Sequence, residues 1–297
     1  MNRFLKFFLL SMSIILLIVG CAKQEEKPAI IVDSAISTDG NAIHYQVQGQ
    51  GKPAIIFIHG WCCDRSYWEV QLPYFTQKYE VVAIDLAGHG DSGLDRKEWT
   101  MGAFGEDVDA VVNKLNLEQV VLVGHSMGGP VILEAARRMP KRVIGLVGAD
   151  TLQNFEDKLT QEQIDDWFTP LRANFVEGAN NFVRTMFMPE ANSALVEKIA
   201  ADMSSAPPTV GLGALEGYVY FQNNEIIQVL QEVQAPITCI NAELWATDVE
   251  VNQSYAPSFK AVIMSGVGHF NMIEDPETFN RLLEETVQEF VQKAISR

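Results

Sequence analysis

The sequence predicts an α/β protein: a mostly parallel sheet covered by helices on both faces, with one helical insertion. Three observations carry this. Short, nearly continuous apolar runs alternate with stretches of helical spacing, the pattern of parallel strands buried on both faces. The alternation breaks after Asp150 and resumes near Pro236, and everything between reads as helix. A chain of 297 residues, 47% of them hydrophobic, suits one large core rather than a set of small ones.

The chain opens with "MNRFLKFFLLSMSIILLIVGC". Arg3 and Lys6 precede an apolar run from Phe7 to Val19, which is short for a membrane span of ~20 residues. A basic start, an apolar middle and small residues before a cut make the plan of an export signal over residues 1–20. Ile18-Val19-Gly20-Cys21 resembles the lipobox of bacterial lipoproteins, which implies lipidation of Cys21. The alternative is an uncleaved anchor with an incidental cysteine. Residues 21–29 then form a polar tether with too little apolar surface to fold. The expected location is the bacterial cell envelope, membrane-anchored, facing the periplasm or the surface.

The folded part is expected over 30–297. "AIIVDSAIS" and "AIHYQVQG" predict two strands joined by the turn Thr38-Asp39-Gly40-Asn41. "AIIFIHG" is a buried strand entering a glycine, followed by a helix from about Asp64 to Lys78. "EVVAID" is the next strand. Phe104, Val108, Val111, Val112 and Leu115 share one helical face. "VVLVG" is a strand, "MGGPVILEAARRMP" a helix ended by Pro140, and "RVIGLVGAD" a strand. The insertion, about 151–235, is expected over the sheet edge. "PITCIN", a helix over 248–256, "AVIMSG" and a long amphipathic helix from Pro276 complete the chain.

One stretch asks for chemistry. In "VVLVGHSMGG" a strand climbs to Ser126, which stands among Gly124, Gly128 and Gly129. Strand, Gly-His-Ser-Met-Gly, helix is G-x-S-x-G in its meaningful context: a sharp turn crowds the serine's neighbours, and glycines relieve it. The helix start then offers N–H groups to a developing oxyanion.

With these residues in view, the chain resembles the α/β-hydrolase fold family from about residue 30 to its end. "FIHGW", "DLAGHGDSG", "GHSMGG" and "GVGHF" followed by "EDP" match four family motifs in order. The resemblance implies an α/β-hydrolase fold whose insertion is a helical cap. It implies Ser126 as nucleophile, His269 as general base, and an oxyanion hole from the backbone N–H groups of Trp61 and Met127. The other histidines are expected elsewhere: His44 structural, His59 and His89 holding loops, His125 lining the site.

The triad acid stays open. The family's Gly-x-x-Asp after "PITCIN" is absent; "INAELWATDVEVN" stands there. Glu243 is the nearest carboxylate, and Asp150, after the preceding strand, is an equal candidate. Asp248 ranks third, as the N-cap of a helix.

The expected function is hydrolysis of carboxylic esters of small, partly apolar molecules through an acyl-enzyme. Lactone, thioester or C–C bond cleavage on the same triad, or ligand binding without catalysis, are the alternatives. The cap's aromatic residues, among them Phe155, Trp167 and Phe182, suggest an apolar pocket. A serine nucleophile excludes chemistry that needs an aspartate there. A net charge of −16 argues against nucleic-acid partners. Cys21, Cys62, Cys63 and Cys239 have no metal-ligand spacing, and no metal or organic cofactor is expected. Cys62 and Cys63 either shape the site or fill space.

Overall fold

The computed structural model describes residues 30–296. The expected export segment, Cys21 and the tether lie outside them. Among the described residues, no helix is long and apolar enough to cross a membrane.

Among the described residues, eight strands form one sheet in the order β1-β2-β4-β3-β5-β6-β7-β8. They are β1 (Ile31–Ile36), β2 (Ala42–Gln48), β3 (Ala54–Ile58), β4 (Val81–Ile84), β5 (Val120–His125), β6 (Val143–Ala149), β7 (Ile237–Ala242) and β8 (Lys260–Met264). The β1–β2 hairpin is antiparallel and joins β4 antiparallel, and every later pairing is parallel. β3, β4, β5 and β7 are buried at every residue, because helices cover both faces. This is the α/β-hydrolase fold.

Among the described residues, eleven α-helices accompany the sheet: α1 (Gln71–Phe75), α2 (Met101–Lys114), α3 (Gly128–Arg138), α4 (Gln161–Ala173), α5 (Phe175–Arg184), α6 (Ser193–Ser204), α7 (Pro208–Asn224), α8 (Ile226–Glu232), α9 (Val249–Tyr255), α10 (Asn271–Glu274) and α11 (Pro276–Ile295). α2 and α8 each pack on α3, with α2 and α3 against the sheet, while α11 packs against β6, β7 and α1. α11 buries Phe279, Leu283, Val287 and Phe290 along one stripe, as its spacing predicts.

Two expectations change. The helix expected over 64–78 is a 3₁₀ turn, Arg65–Trp68, followed by the separate α1. Pro73 favours the break: it has no N–H to donate to the Glu69 carbonyl, and it stands in the first turn of α1, where none is needed. The insertion, expected over the sheet edge, covers the C-terminal ends of the strands. It leaves from β6 and returns to β7, which are inner neighbours in the sheet. Residues of α4, α5 and α7 thereby face Ser126 across a cavity. The last helix before β7, α8, packs on α3 and belongs to the layer on the sheet.

Candidate active site

The turn between β5 and α3 holds Ser126 at φ 52°, a left-handed conformation that ordinary side chains seldom adopt. Its backbone is fastened on two sides. The Ser126 amide donates to the Ala149 carbonyl (3.1 Å), and its carbonyl accepts from the Gly129 amide (2.8 Å) and the Thr151 hydroxyl (2.7 Å). A Cβ at Gly124 would lie 2.2 Å from the Gly128 oxygen, and one at Gly128 would lie 2.8 Å from the Ile58 oxygen. The strand-to-helix turn therefore closes only with glycine at both places.

His269 follows β8 in a loop tied down on every side. Its amide donates to the Met186 carbonyl in the insertion (2.8 Å), and its carbonyl accepts from His125 Nε2 (2.9 Å). Glu274 receives the amides of Gly268 (3.0 Å) and Phe270 (3.2 Å), one on each side of His269. Burial pushes the Glu274 carboxyl up, and those two amides pull it back.

His269 Nδ1 meets Asp150 Oδ2 at 2.5 Å, with both residues buried. Asp150 is itself clamped to β7. Its amide donates to the Ile240 carbonyl (3.0 Å), and its Oδ1 accepts from the Ala242 amide (2.8 Å). Its φ of 45° turns the side chain away from the path of β6. Asn241 continues this seam by exchanging two bonds, each 3.1 Å, with the Thr151 backbone. One line of contacts thus runs from β7 through Thr151 to the Ser126 carbonyl.

The other two carboxylates are engaged elsewhere. Exposed Glu243 accepts from the Gly266 amide (2.6 Å). Asp248 caps α9 through the Val251 amide (3.0 Å). Of the three candidates, the fold brings only Asp150 to His269.

Ser126, Asp150 and His269 share the wall of one cavity of about 810 Å³. Trp61 and Met127 line it beside the serine, and neither amide donates a hydrogen bond among the described residues. Ser126 makes no side-chain bond to His269 here; such contacts commonly tighten only around substrate. The far wall mixes Trp167, Phe182, Met186 and Leu215 with Gln163, Gln222, Tyr218 and Lys158. The pocket, expected to be apolar, is therefore mixed: the cap helices α4 and α7 bring Gln163, Tyr218 and Gln222 beside Trp167 and Leu215, and the loop after β6 adds Gln153, Asn154 and Lys158. Burial pushes the Tyr218 hydroxyl up to about 12, so it stays a donor at neutral pH.

The remaining histidines are supports. His59 Nε2 accepts from the Leu86 amide (3.0 Å), so its proton sits on Nδ1, which donates to the Gly60 carbonyl (2.8 Å). His89 bonds the Ala87 carbonyl (3.0 Å). Burial lowers His59 to about 4, and burial plus the neighbouring His59 lowers His89 to about 3. His125 does not line the cavity. It lies buried behind it, 4.7 Å from the His269 ring, and burial holds it well below the usual imidazole range. Cys62 and Cys63 are buried, and burial raises both thiols far above their ordinary range. They line no part of the cavity. Among the described residues no cluster of three or more His, Cys, Asp or Glu is placed to hold a metal.

Sequence reasoning missed Asn241, Thr151 and Gln153. Gln153 Nε2 lies 3.5 Å from Asp150 Oδ1. Their roles depend on the β6–β7 seam, which no local pattern announces.

Comparison with known proteins follows the same lines. A family profile described as the alpha/beta hydrolase fold matches residues 53–276. The chain is 25% identical over 288 residues to 3-oxoadipate enol-lactonase 2 of Acinetobacter baylyi, covering 89% of this chain and 99% of that protein. It is 29% identical over 153 residues to a pea (Pisum sativum) strigolactone esterase, covering 48% of this chain and 57% of that protein. Among solved structures, Est816, described as an N-acyl homoserine lactone degrading enzyme, superposes with a TM-score of 0.73 at 25% identity, over 84% of this chain and 99% of that one. An esterase from Exiguobacterium antarcticum superposes at 0.77 and 18% identity, over 87% and 100%.

Proposed function

The chain belongs to the alpha/beta hydrolase fold family, and from that membership and the geometry of its cavity we propose that it is a serine hydrolase cleaving carboxylic esters through an acyl-enzyme. The observation that carries the reading is the buried Asp150–His269 pair on the same cavity wall as a strained, glycine-flanked serine.

In this reading His269 Nε2 takes the Ser126 proton as the serine oxygen attacks the ester carbonyl carbon. Asp150 fixes the proton of His269 on Nδ1 and stabilises the imidazolium that forms. The amides of Trp61 and Met127 receive the negative charge that develops on the carbonyl oxygen. Collapse breaks the bond to the alcohol oxygen, which leaves with the proton from His269. Water, deprotonated by the same histidine, attacks the acyl-enzyme and frees Ser126 with the acid product.

The cavity volume falls in the range of small-molecule sites, and its mixed lining supports esters that carry both apolar and polar parts. A lactone is the second reading. Two relatives at 25% identity carry lactone substrates in their names, and ring opening needs the same steps, with the alcohol retained in the product.

The N-terminal sequence adds a proposal of its own: export, and anchoring through a lipid on Cys21. A Cys21→Ala protein that stays with membranes after a high-salt wash overturns it.

The test of function is hydrolysis of a p-nitrophenyl ester series by the protein without residues 1–21, beside Ser126→Ala. Activity that rises from acetate to medium acyl chains and vanishes in the variant is expected. Equal activity in the variant overturns the reading, and no activity in either favours a ligand-binding protein.

A further inference from the structure

Trp61 contributes to two places at once. Its backbone amide borders Ser126, and its side chain is buried in the cap. The indole Nε1 donates to the Gly211 carbonyl of α7 at 2.7 Å, across 150 positions of sequence. The ring meets Phe175 and Phe182 of α5 edge-on, at centroid distances of 6.1 and 5.8 Å. α7 comes so close here that a Cβ at Gly211 would lie 2.3 Å from the Phe175 ring and 3.1 Å from Cys62 Sγ.

The backbone side is fixed just as firmly. The Gly60 carbonyl accepts from His59 Nδ1 (2.8 Å) and from the Cys63 amide (3.3 Å). In a trans peptide the N–H points opposite the C=O, so fixing the Gly60 oxygen aims the Trp61 N–H the other way. A Cβ on Gly60 would be 3.0 Å from Ser126 Cβ, which puts this peptide directly against the serine. Cys62, next in the chain, has φ 53°, so the loop is a tight, specific turn.

We propose that Trp61 is a latch between cap and oxyanion hole: the indole bond to α7 sets where the Trp61 amide stands relative to Ser126. The proposal rests on the serine-hydrolase reading. Trp61's side chain is then a positioning group for its own amide, and displacement of α7 displaces an oxyanion donor. Cap and sheet, separate in sequence, act on one reaction step.

The test is Trp61→Phe, which keeps an aromatic ring and removes the N–H, assayed for ester kcat and KM and for the rate at which a p-nitrophenyl phosphonate labels Ser126. Both the labelling rate and kcat are expected to fall roughly 10-fold, with KM changed less than about 2-fold, because the change misplaces a transition-state donor while an aromatic ring still fills the place of Trp61 in the cavity lining. Phe175→Leu loosens the same seat without touching the cavity lining. It should lower both rates about 3-fold, and it carries the test if Trp61→Phe does not fold. Rates equal to wild type in a folded variant, with only the melting temperature lowered, overturn the latch. A wild-type protein that neither hydrolyses esters nor takes the label overturns the serine-hydrolase reading instead.

Discussion

Asp150 Oδ2 and His269 Nδ1 stand 2.5 Å apart, although 119 positions separate them in the chain. The contact exists because β6 and β7 end side by side: Asp150 leaves β6, and β7 receives both its amide and its other carboxylate oxygen.

If Asp150 orients His269 as proposed, Asp150→Asn lowers kcat by about three to four orders of magnitude, since the amide favours the wrong imidazole tautomer. Glu243→Gln stays within about 3-fold of wild type, because its bond is to the Gly266 amide. Steady-state kinetics of the two variants decide between them. The reverse ranking removes Asp150 from the triad.

Glu274 holds the amides on both sides of His269 without lining the cavity. Glu274→Gln leaves one accepting oxygen for both amides, removes the negative charge, and puts an NH₂ where the second carboxylate oxygen accepts from Gly268. A fall in kcat of roughly 10-fold with KM nearly constant is expected. Rescue by Glu274→Asp would not follow, since the shorter side chain cannot span both amides. A kcat equal to wild type would show that the loop is held without this carboxylate.

Gly124→Ala places a methyl 2.2 Å from the Gly128 oxygen and 2.9 Å from Ile132 Cγ2. The Gly128 oxygen belongs to the backbone of the turn and cannot move without opening it. A stability loss of about 3 kcal/mol or more is expected, measurable by urea unfolding. A loss below about 1 kcal/mol would mean that the turn relaxes far more readily than its packing implies.

Stability should fall as pH drops below neutral. Burial first, and the His59 neighbour second, depress His89 to about 3, and burial depresses His59 to about 4. In the unfolded chain both titrate near 6.5. Between those limits the unfolded state binds more protons, so each contributes stability that is complete above about 6.5 and lost as pH falls, at up to ~1.4 kcal/mol per pH unit. Burial raises the Asp85 and Asp107 carboxyls, and they bend the profile the opposite way above 3.8. The clean measurement is therefore a difference: urea unfolding of wild type and His89→Gln at pH 7 and pH 5. The variant should lose less stability on acidification. Equal losses would mean that His89 takes up its proton as readily in the folded protein as in the unfolded chain.

The sheet was legible because its cause is local. Runs such as "AIIFI" and "VVLVG" can be stable only when buried on both faces, and the helical spacings between them supply the cover. The turn at Ser126 was legible for the same reason: Gly124 and Gly128 mark a backbone too crowded for a side chain. Pro73 was equally visible, and its missing N–H favours the break in the helix expected over 64–78.

What only the tertiary structure decided is which distant groups meet. Asp150 and Glu243 are both carboxylates next to strand ends, and composition and spacing treat them alike. The strand order separates them: Asp150 bends over the end of β7 toward His269, while Glu243 turns to Gly266 beside β8. The same holds for Trp61, whose indole partner in α7 lies 150 residues away. A single sequence specifies which segments are strands and helices through the burial each residue type tolerates. The meeting of side chains across the sheet depends on how those segments pack, and packing is a property of the whole fold.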